Sequence, residues 1–219
     1  MLPLTLVIQA GGKSTRMGRD KALAPFRGRT LIEFILAQTV GLATETIVIT
    51  NRPDDYRFLG LPLFGDVFPD KGALGGLYSA IYHARQPHCL VLACDLPFVN
   101  RPLLEHFIAL APGHDAVMPR LTPLPPSPEP VAQERGVRAE AEPFRAVYSK
   151  ACLGPIQAAL EAGQMRVISF FDKVNIRFVE RPEIERFDPG ARSFFNVNTP
   201  EDLVEAERLA ATGSGRPDS

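Results

Sequence analysis

Hydrophobic positions are grouped in two ways along the first half of this chain. Short, nearly continuous apolar runs alternate with segments whose apolar residues recur at helical spacing, the pattern of βαβ units around a mainly parallel sheet. The runs predict strands at Leu4–Gln9, Thr46–Thr50, near Leu63 and at Cys89–Ala93. Between them, Thr30–Ala43 reads as a helix, because Thr30 and Glu33 have capping-box spacing and Leu31, Phe34, Ile35 and Leu42 share one side. Gly75–His83 and Pro102–Leu110 read as two further helices, the second with proline in its first turn, where the missing N–H costs nothing.

The pattern breaks between Leu121 and Pro143. Prolines at 123, 125, 126, 128, 130 and 143 stand among charged and small residues, and too few large apolar groups are present to offset the entropy of ordering. This stretch is predicted to be an exposed loop insertion, with a proline-rich docking site as the alternative. Periodicity returns with a strand at Phe144–Ser149, a helix over Cys152–Ala162 and a last short strand at Phe194–Val197. Thr199-Pro200-Glu201-Asp202 signals a closing helix, with a hydroxyl cap, an early proline and two acids near the positive helix end. The organisation expected is one domain over residues 1–211 and a mobile tail over 212–219.

Composition narrows the function classes. Of 219 residues, 45% are apolar, and 24 basic residues meet 25 acidic ones with no basic block, which argues against a nucleic-acid binder. No apolar run approaches the ~18 residues that span a bilayer, and the amino terminus leads straight into a strand, so a cytoplasmic protein with no membrane partner is expected. Cys89, Cys94 and Cys152 lack the spacing of a zinc site or a disulfide framework and read as core fillers. His83, His88, His106 and His114 show no spacing to a Ser or Cys nucleophile, so a hydrolytic triad is not indicated.

The chemistry concentrates in the turn after the first strand, Gln9-Ala10-Gly11-Gly12-Lys13-Ser14-Thr15-Arg16-Met17-Gly18-Arg19-Asp20-Lys21. Paired glycines leave backbone N–H groups unscreened, and Arg16 and Lys21 add two cations, a combination suited to a polyphosphate. Two better-known phosphate loops do not fit. A Walker A loop needs glycine where Val7 stands, and a dinucleotide G-x-G-x-x-G needs one at Ser14.

Three further places are candidates. Asp95, in Cys94-Asp95-Leu96-Pro97-Phe98, follows an apolar strand, so its carboxylate falls at a strand's carboxyl end, where open α/β sheets bind ligands and where Mg²⁺ can be held against phosphate oxygens. The alternative is a turn residue accepting backbone N–H groups before Pro97. Asp66 and the loop Asp70–Gly76 could receive a nucleobase, or Gly75-Gly76 could merely open a helix. Asn196 and Asn198 share one face of an extended segment and could bind a ligand, while Asn198 or Thr199 could instead cap the last helix.

Taken together, Ala10-Gly11-Gly12-Lys13-Ser14, Arg16-Met17-Gly18, Asp20-Lys21, Cys94-Asp95-Leu96-Pro97-Phe98 and Asn196-Val197-Asn198-Thr199-Pro200 resemble the molybdenum cofactor guanylyltransferases. The resemblance runs through nearly the whole chain. The first motif is shared by many nucleotidyltransferases, and the Asn-Val-Asn-Thr-Pro ending narrows it to the guanylyl branch. It implies a three-layer α/β/α, Rossmann-like nucleotidyltransferase fold with a mostly parallel sheet. It also implies GTP and molybdenum-molybdopterin as substrates and Mg²⁺ as cofactor, with molybdoenzymes or other cofactor-biosynthesis proteins as candidate partners. Carried over by position, Gln9, Ala10, Gly11 and Gly12 line the nucleotide, Lys21 and Arg16 bind its phosphates, Asp66 holds the nucleoside and Asp95 binds Mg²⁺. Asn196 and Asn198 are placed toward the pterin. Gln9 stands where the family usually has leucine, and Glu142-Pro143-Phe144 where it usually has a His-Pro form. The rivals are a cytidylyl or sugar-phosphate transferase of the same fold, and a noncatalytic nucleotide-binding adaptor.

Overall fold

A computed structural model describes residues 2–10, 20–121 and 141–212. In chain order the regular elements begin with β1 (Leu4–Gln9), the two-residue strands β2 (Pro25–Phe26) and β3 (Arg29–Thr30), α1 (Leu31–Gln38), β4 (Glu45–Ile49) and β5 (Leu63–Phe64). They continue with α2 (Gly72–His83), β6 (His88–Ala93), α3 (Arg101–Leu110), β7 (Ala116–Arg120), β8 (Arg145–Ser149) and α4 (Leu153–Glu161). The last are β9 (Ile176–Glu180), the single turn α5 (Arg181–Ile184) and α6 (Pro200–Thr212).

Seven strands form one sheet in the order β5-β4-β1-β6-β8-β7-β9. Strands β5, β4, β1 and β6 run parallel; β8 is antiparallel to both β6 and β7; β9 is parallel to β7. The sheet is therefore mixed but mostly parallel, with helices on both faces. Alternation along the central strands creates the two faces. Leu4, Leu6 and Ile8 of β1, with Leu90 and Leu92 of β6, pack on Ile32 and Ile35 of α1 and on Leu103, Leu104 and Phe107 of α3. Val7, Cys89 and Val91 point the other way, into Leu74, Leu77 and Ile81 of α2 and Ile156 and Leu160 of α4. A strand buried on both sides favours apolar residues on both faces, which is why β1 and β6 read as nearly continuous runs, with buried Thr5 satisfied by a bond to Glu45.

Several boundaries differ from the sequence reading for local reasons. Helix α1 carries the expected capping box, the Thr30 side chain accepting from the Glu33 N–H and Glu33 accepting from the Thr30 N–H. It stops at Gln38 rather than Ala43, because the Thr39 hydroxyl donates to the carbonyls of Ile35 and Leu36 and Gly41 turns the chain at a φ of 76°. Helix α2 starts at Gly72, before Gly75. The strand expected at Phe194–Val197 does not form. Residues Pro189–Phe194 make short 3₁₀ turns kinked at Gly190 and Ala191, and beyond them the Val197 N–H donates to the Asp95 carbonyl, just past β6, at 2.8 Å. Strands β7 and β9 were not expected. Residues 122–140, most of the proline-rich insertion, and 213–219, most of the expected tail, lie outside the described residues, while Thr212 ends α6.

Cys89, Cys94 and Cys152 are buried free thiols, as core fillers should be. Burial pushes the Cys89 and Cys152 thiols up to about 12 and the Cys94 thiol well above its usual value, which leaves them inert at neutral pH. Among the described residues no helix is long and apolar enough to cross a membrane.

Candidate active site

Strands β5, β4, β1 and β6 all end at the same edge, and the chain leaves β1 toward β4 on one side before returning through β6 on the other. Such a reversal opens a crevice outside the strand ends. Three candidate positions follow these strands, Asp66 after β5, Ala10 after β1 and Asp95 after β6, and Asn51, which the sequence did not single out, follows β4. At about 4.8 Å per inter-strand step, this row extends about 14 Å, enough for a nucleoside at one end and its phosphates at the other.

At the β6 end the structure brings Lys21, Asp95, Asn196 and Asn198 together. Lys21 opens a 3₁₀ turn at Lys21–Leu23, and its Nζ donates to Asn198 Oδ1 at 2.7 Å. The Asn196 side chain and Lys21 both lie close enough to the Asp95 carboxylate to favour its charged form. The period-two spacing of the two amides thus places Asn198 on Lys21 and Asn196 beside Asp95. Thr199, not Asn198, caps α6: its Oγ1 accepts from the Asp202 N–H at 3.1 Å, and the Asp202 carboxylate accepts from the N–H groups of Asn198 and Thr199, both at 3.0 Å. The Asn198 amide is left for Lys21.

Burial raises the pKa of the Asp95 carboxyl, opposed by Lys21, by its own backbone N–H, by Arg145 and by Asn196. A carboxylate drawn out of water beside a lysine is a poised ligand for a cation that arrives with more phosphate oxygens. Among the described residues no group of three His, Cys, Asp or Glu side chains is placed to hold a metal ion. That donor set suits Mg²⁺, which takes one or two carboxylates plus substrate phosphates and water, better than zinc, which needs three or four protein ligands.

The middle and far end of the crevice are built by contacts invisible in local sequence. Gln9 donates from Nε2 to the Gly76 carbonyl of α2, and a Cβ on Gly76 would stand 3.1 Å from Gln9 Oε1, so glycine leaves room for the Gln9 amide against the helix. A Cβ on Gly75 would meet the Phe68 carbonyl at 2.9 Å. The two glycines therefore serve close packing inside α2. Asp66 is bound twice by Asn51: its N–H donates to Asn51 Oδ1 at 2.9 Å, and Asn51 Nδ2 donates to Asp66 Oδ2 at 2.7 Å. The Val67 N–H donates to Ser79 Oγ at 2.9 Å, fixing the same loop on α2.

Sequence reasoning also passed over Asp20. Its Oδ2 accepts from Arg52 and, at 2.6 Å, from the buried Tyr56 hydroxyl, while Oδ1 accepts from the Ala22 N–H at 3.1 Å. This clamp ties the loop's carboxyl end to the exit of β4 and so places Lys21. Burial and the Asp20 bond push the Tyr56 phenol far above its usual range, so it stays a donor. Gly11, Gly12, Arg16 and the rest of the loop over 11–19 lie outside the described residues. Glu142 is half-buried. Its carboxyl is pushed up by burial, with the Phe144 N–H acting against the shift, Asp95 reinforcing it and Arg145 opposing it.

Residues 6–175 match the family described as "MobA-like NTP transferase domain". The chain belongs to this family. The MobA-like relatives agree in length as well as sequence. One named "Probable molybdenum cofactor guanylyltransferase" from Pelotomaculum thermopropionicum is 32% identical over 210 residues, covering 96% of this chain and 95% of its own. Another of the same name, from Methanosarcina mazei, is 33% identical over 211 residues, covering 90% and 87%. Among solved structures, molybdopterin-guanine dinucleotide biosynthesis protein A from Archaeoglobus fulgidus superposes with a TM-score of 0.76 at 24% identity, covering 95% of this chain and 99% of that one. The 2-C-methyl-D-erythritol 4-phosphate cytidylyltransferase of Thermus thermophilus gives 0.67 at 25% identity, covering 96% and 100%. The MobA-like fold is thus a nucleotidyltransferase fold shared across bases.

Proposed function

We propose that this MobA-like chain transfers the GMP unit of GTP to molybdenum-molybdopterin, giving the molybdopterin guanine dinucleotide cofactor and pyrophosphate. The observation that carries this reading is the convergence of Lys21 and Asp95 at the carboxyl edge, with Asn198 hydrogen-bonded to Lys21 and Asn196 beside Asp95. The full-length relatives named as guanylyltransferases supply the substrate pair.

The reaction is an in-line displacement. A terminal phosphate oxygen of the pterin substrate forms a bond to the α-phosphorus of GTP, the bond from that phosphorus to the bridging oxygen breaks, and pyrophosphate leaves with the electron pair. The attacking oxygen is already anionic at neutral pH, so no general base is needed, and alignment and charge cancellation carry the catalysis. Lys21 takes the phosphate chain, joined by Arg16 from the loop. Asn198 aims the Lys21 ammonium, and Asn196 holds the Asp95 carboxylate in register with it. Asp95 is the residue that would hold Mg²⁺, and the ion, when bound, neutralises charge on the phosphate oxygens. Gln9, Ala10, Gly11 and Gly12 line the nucleotide, and Asp66, oriented by Asn51, receives the nucleoside end. Asn196 and Asn198 border the acceptor side, where the pterin enters. The protein works in the cytoplasm, where GTP is supplied.

Incubating the protein with Mg²⁺, molybdenum-molybdopterin and GTP labelled in its α-phosphate tests this directly. Label should move to the pterin with release of one pyrophosphate per transfer, and CTP, ATP and UTP should substitute poorly. Equal transfer from CTP would make it a cytidylyl enzyme, and tight GTP binding without pyrophosphate release would make it an adaptor.

A further inference from the structure

The segment that presents Asp95 is held from outside at each carbonyl from Asp95 to Phe98. The Asp95 carbonyl accepts from the Val197 N–H at 2.8 Å, and the Pro97 carbonyl from Gln38 Nε2 at 3.0 Å. Arg145, on β8, takes the remaining two, donating to the Leu96 carbonyl at 2.8 Å and to the Phe98 carbonyl at 2.9 Å. Gln38 Oε1 also accepts from the Val99 N–H at 3.2 Å, which closes the far side.

Arg145 is only 1% exposed, among the largest fully buried side chains of the molecule. Its two described side-chain hydrogen bonds go to main-chain carbonyls, and its Nε has no partner among the described residues. Asp95, Glu142 and Asp188 surround it at longer range. Burial draws its pKa down to about 10, so it remains charged at neutral pH. A buried guanidinium without a direct carboxylate partner is a poor device for stability, and an apolar side chain of similar size would serve the core better. What a guanidinium does offer is a rigid, planar fork that fixes two acceptors at once.

We infer that Arg145 is a positioning residue for the transfer reaction, bracing the Leu96 and Phe98 carbonyls so that the Asp95 carboxylate already faces Lys21 and the crevice before the nucleotide arrives. This rests on the role given above to Asp95. The brace acts through the main chain, so its loss leaves the crevice's nucleotide contacts in place and loosens only the carboxylate. Residues that orient metal-holding groups typically contribute about 10- to 100-fold to metal affinity or rate.

The test uses the full chain with Arg145→Lys and Arg145→Met. Calorimetry gives the affinity for GTP without metal and with Mg²⁺, and the ratio of the two reads the metal's hold on the complex. Steady-state transfer gives kcat and KM. For folded Arg145→Lys, which keeps the buried charge but has one donor point instead of a fork, metal-free GTP affinity should stay at the wild-type value, while KM for GTP in the presence of Mg²⁺ should rise. The Mg²⁺ ratio and kcat should each fall by about 10- to 100-fold. Arg145→Met should fall at least as far; if it does not fold, the lysine variant alone decides. A lysine variant with a lowered melting temperature but an unchanged Mg²⁺ ratio and kcat overturns the inference and leaves Arg145 a structural residue. Asp95→Asn, measured alongside, separates the two readings. A normal Mg²⁺ ratio in that variant removes the role of Asp95 itself, and the inference with it.

Discussion

Asp95→Asn is expected to lower turnover on the order of 10²- to 10³-fold, the scale set by loss of one preorganised group that stabilises transition-state charge. The same variant, free of nucleotide and metal, should melt no lower than the wild type at neutral pH, and this second result separates a functional carboxylate from a structural one. Burial raises the folded-state pKa of Asp95 above its ordinary value of 3.8. The folded chain therefore binds that proton more tightly than the unfolded chain. The resulting stability is complete below the unfolded value and is lost as pH rises through the folded one. At neutral pH the empty site carries a charge that folding disfavours, and an amide of the same shape removes that cost while keeping the Asn196 contact. Steady-state transfer assays and a thermal melt check the two halves. A melting temperature several degrees below wild type would instead make Asp95 a turn-forming residue.

Lys21→Met is expected to lower kcat/KM for GTP by about 10²-fold, with most of the loss in turnover, because the cation is aimed at charge that moves onto the leaving pyrophosphate. The methionine keeps much of the stem's volume, and Asp20 still caps the 3₁₀ turn, so the fold should be unaffected. Asn198→Ala should lose less, since it removes only the acceptor that aims Lys21, and the double variant should be no worse than Lys21→Met alone. Additive losses in that double-variant cycle would mean that Asn198 acts on a ligand independently of Lys21.

Much of the nucleotide side was legible because single elements carry their own signals. Strands β1 and β6 are buried on both faces and almost wholly apolar, and Ala10 and Asp95, which follow them, then fall at a predictable edge. The Thr30–Glu33 cap marks the start of α1 without reference to anything distant. Strand β7 was hidden by Pro119, which ordinarily argues against a sheet interior. It is accommodated because β8 pairs with β7 only at Ala116 and Val117, and beyond them the Pro119 carbonyl accepts from the Glu142 N–H at 3.1 Å. Strand β9 lies at the sheet edge with a single buried residue, Val179, so it has neither the continuous run nor the clean alternation that marks a strand.

The parts of the site that escaped sequence reading are those that depend on long-range contacts. Asn51 and Asp66 are fifteen residues apart and meet only because β4 and β5 pair. Asp20 looked like one more loop charge until Arg52 and Tyr56 closed on it. Arg145, the first residue of β8, gave no hint of its partners, because the Leu96 and Phe98 carbonyls belong to a segment nearly fifty residues earlier. A charged residue at an inward position of a predicted strand was the available signal, and its meaning depended on what lay beside it.

The account stands on Lys21 and Asp95 gripping one metal-bound nucleotide from two sides. A crystal structure of the protein with GTP and Mg²⁺ tests that most directly. The account predicts the guanine and ribose near Asn51 and Asp66, the phosphates running across the end of β1 to Lys21, and Mg²⁺ between the Asp95 carboxylate and phosphate oxygens. A nucleotide bound with its phosphates away from Lys21, or a metal ion bound with Asp95 outside its coordination shell, would contradict it.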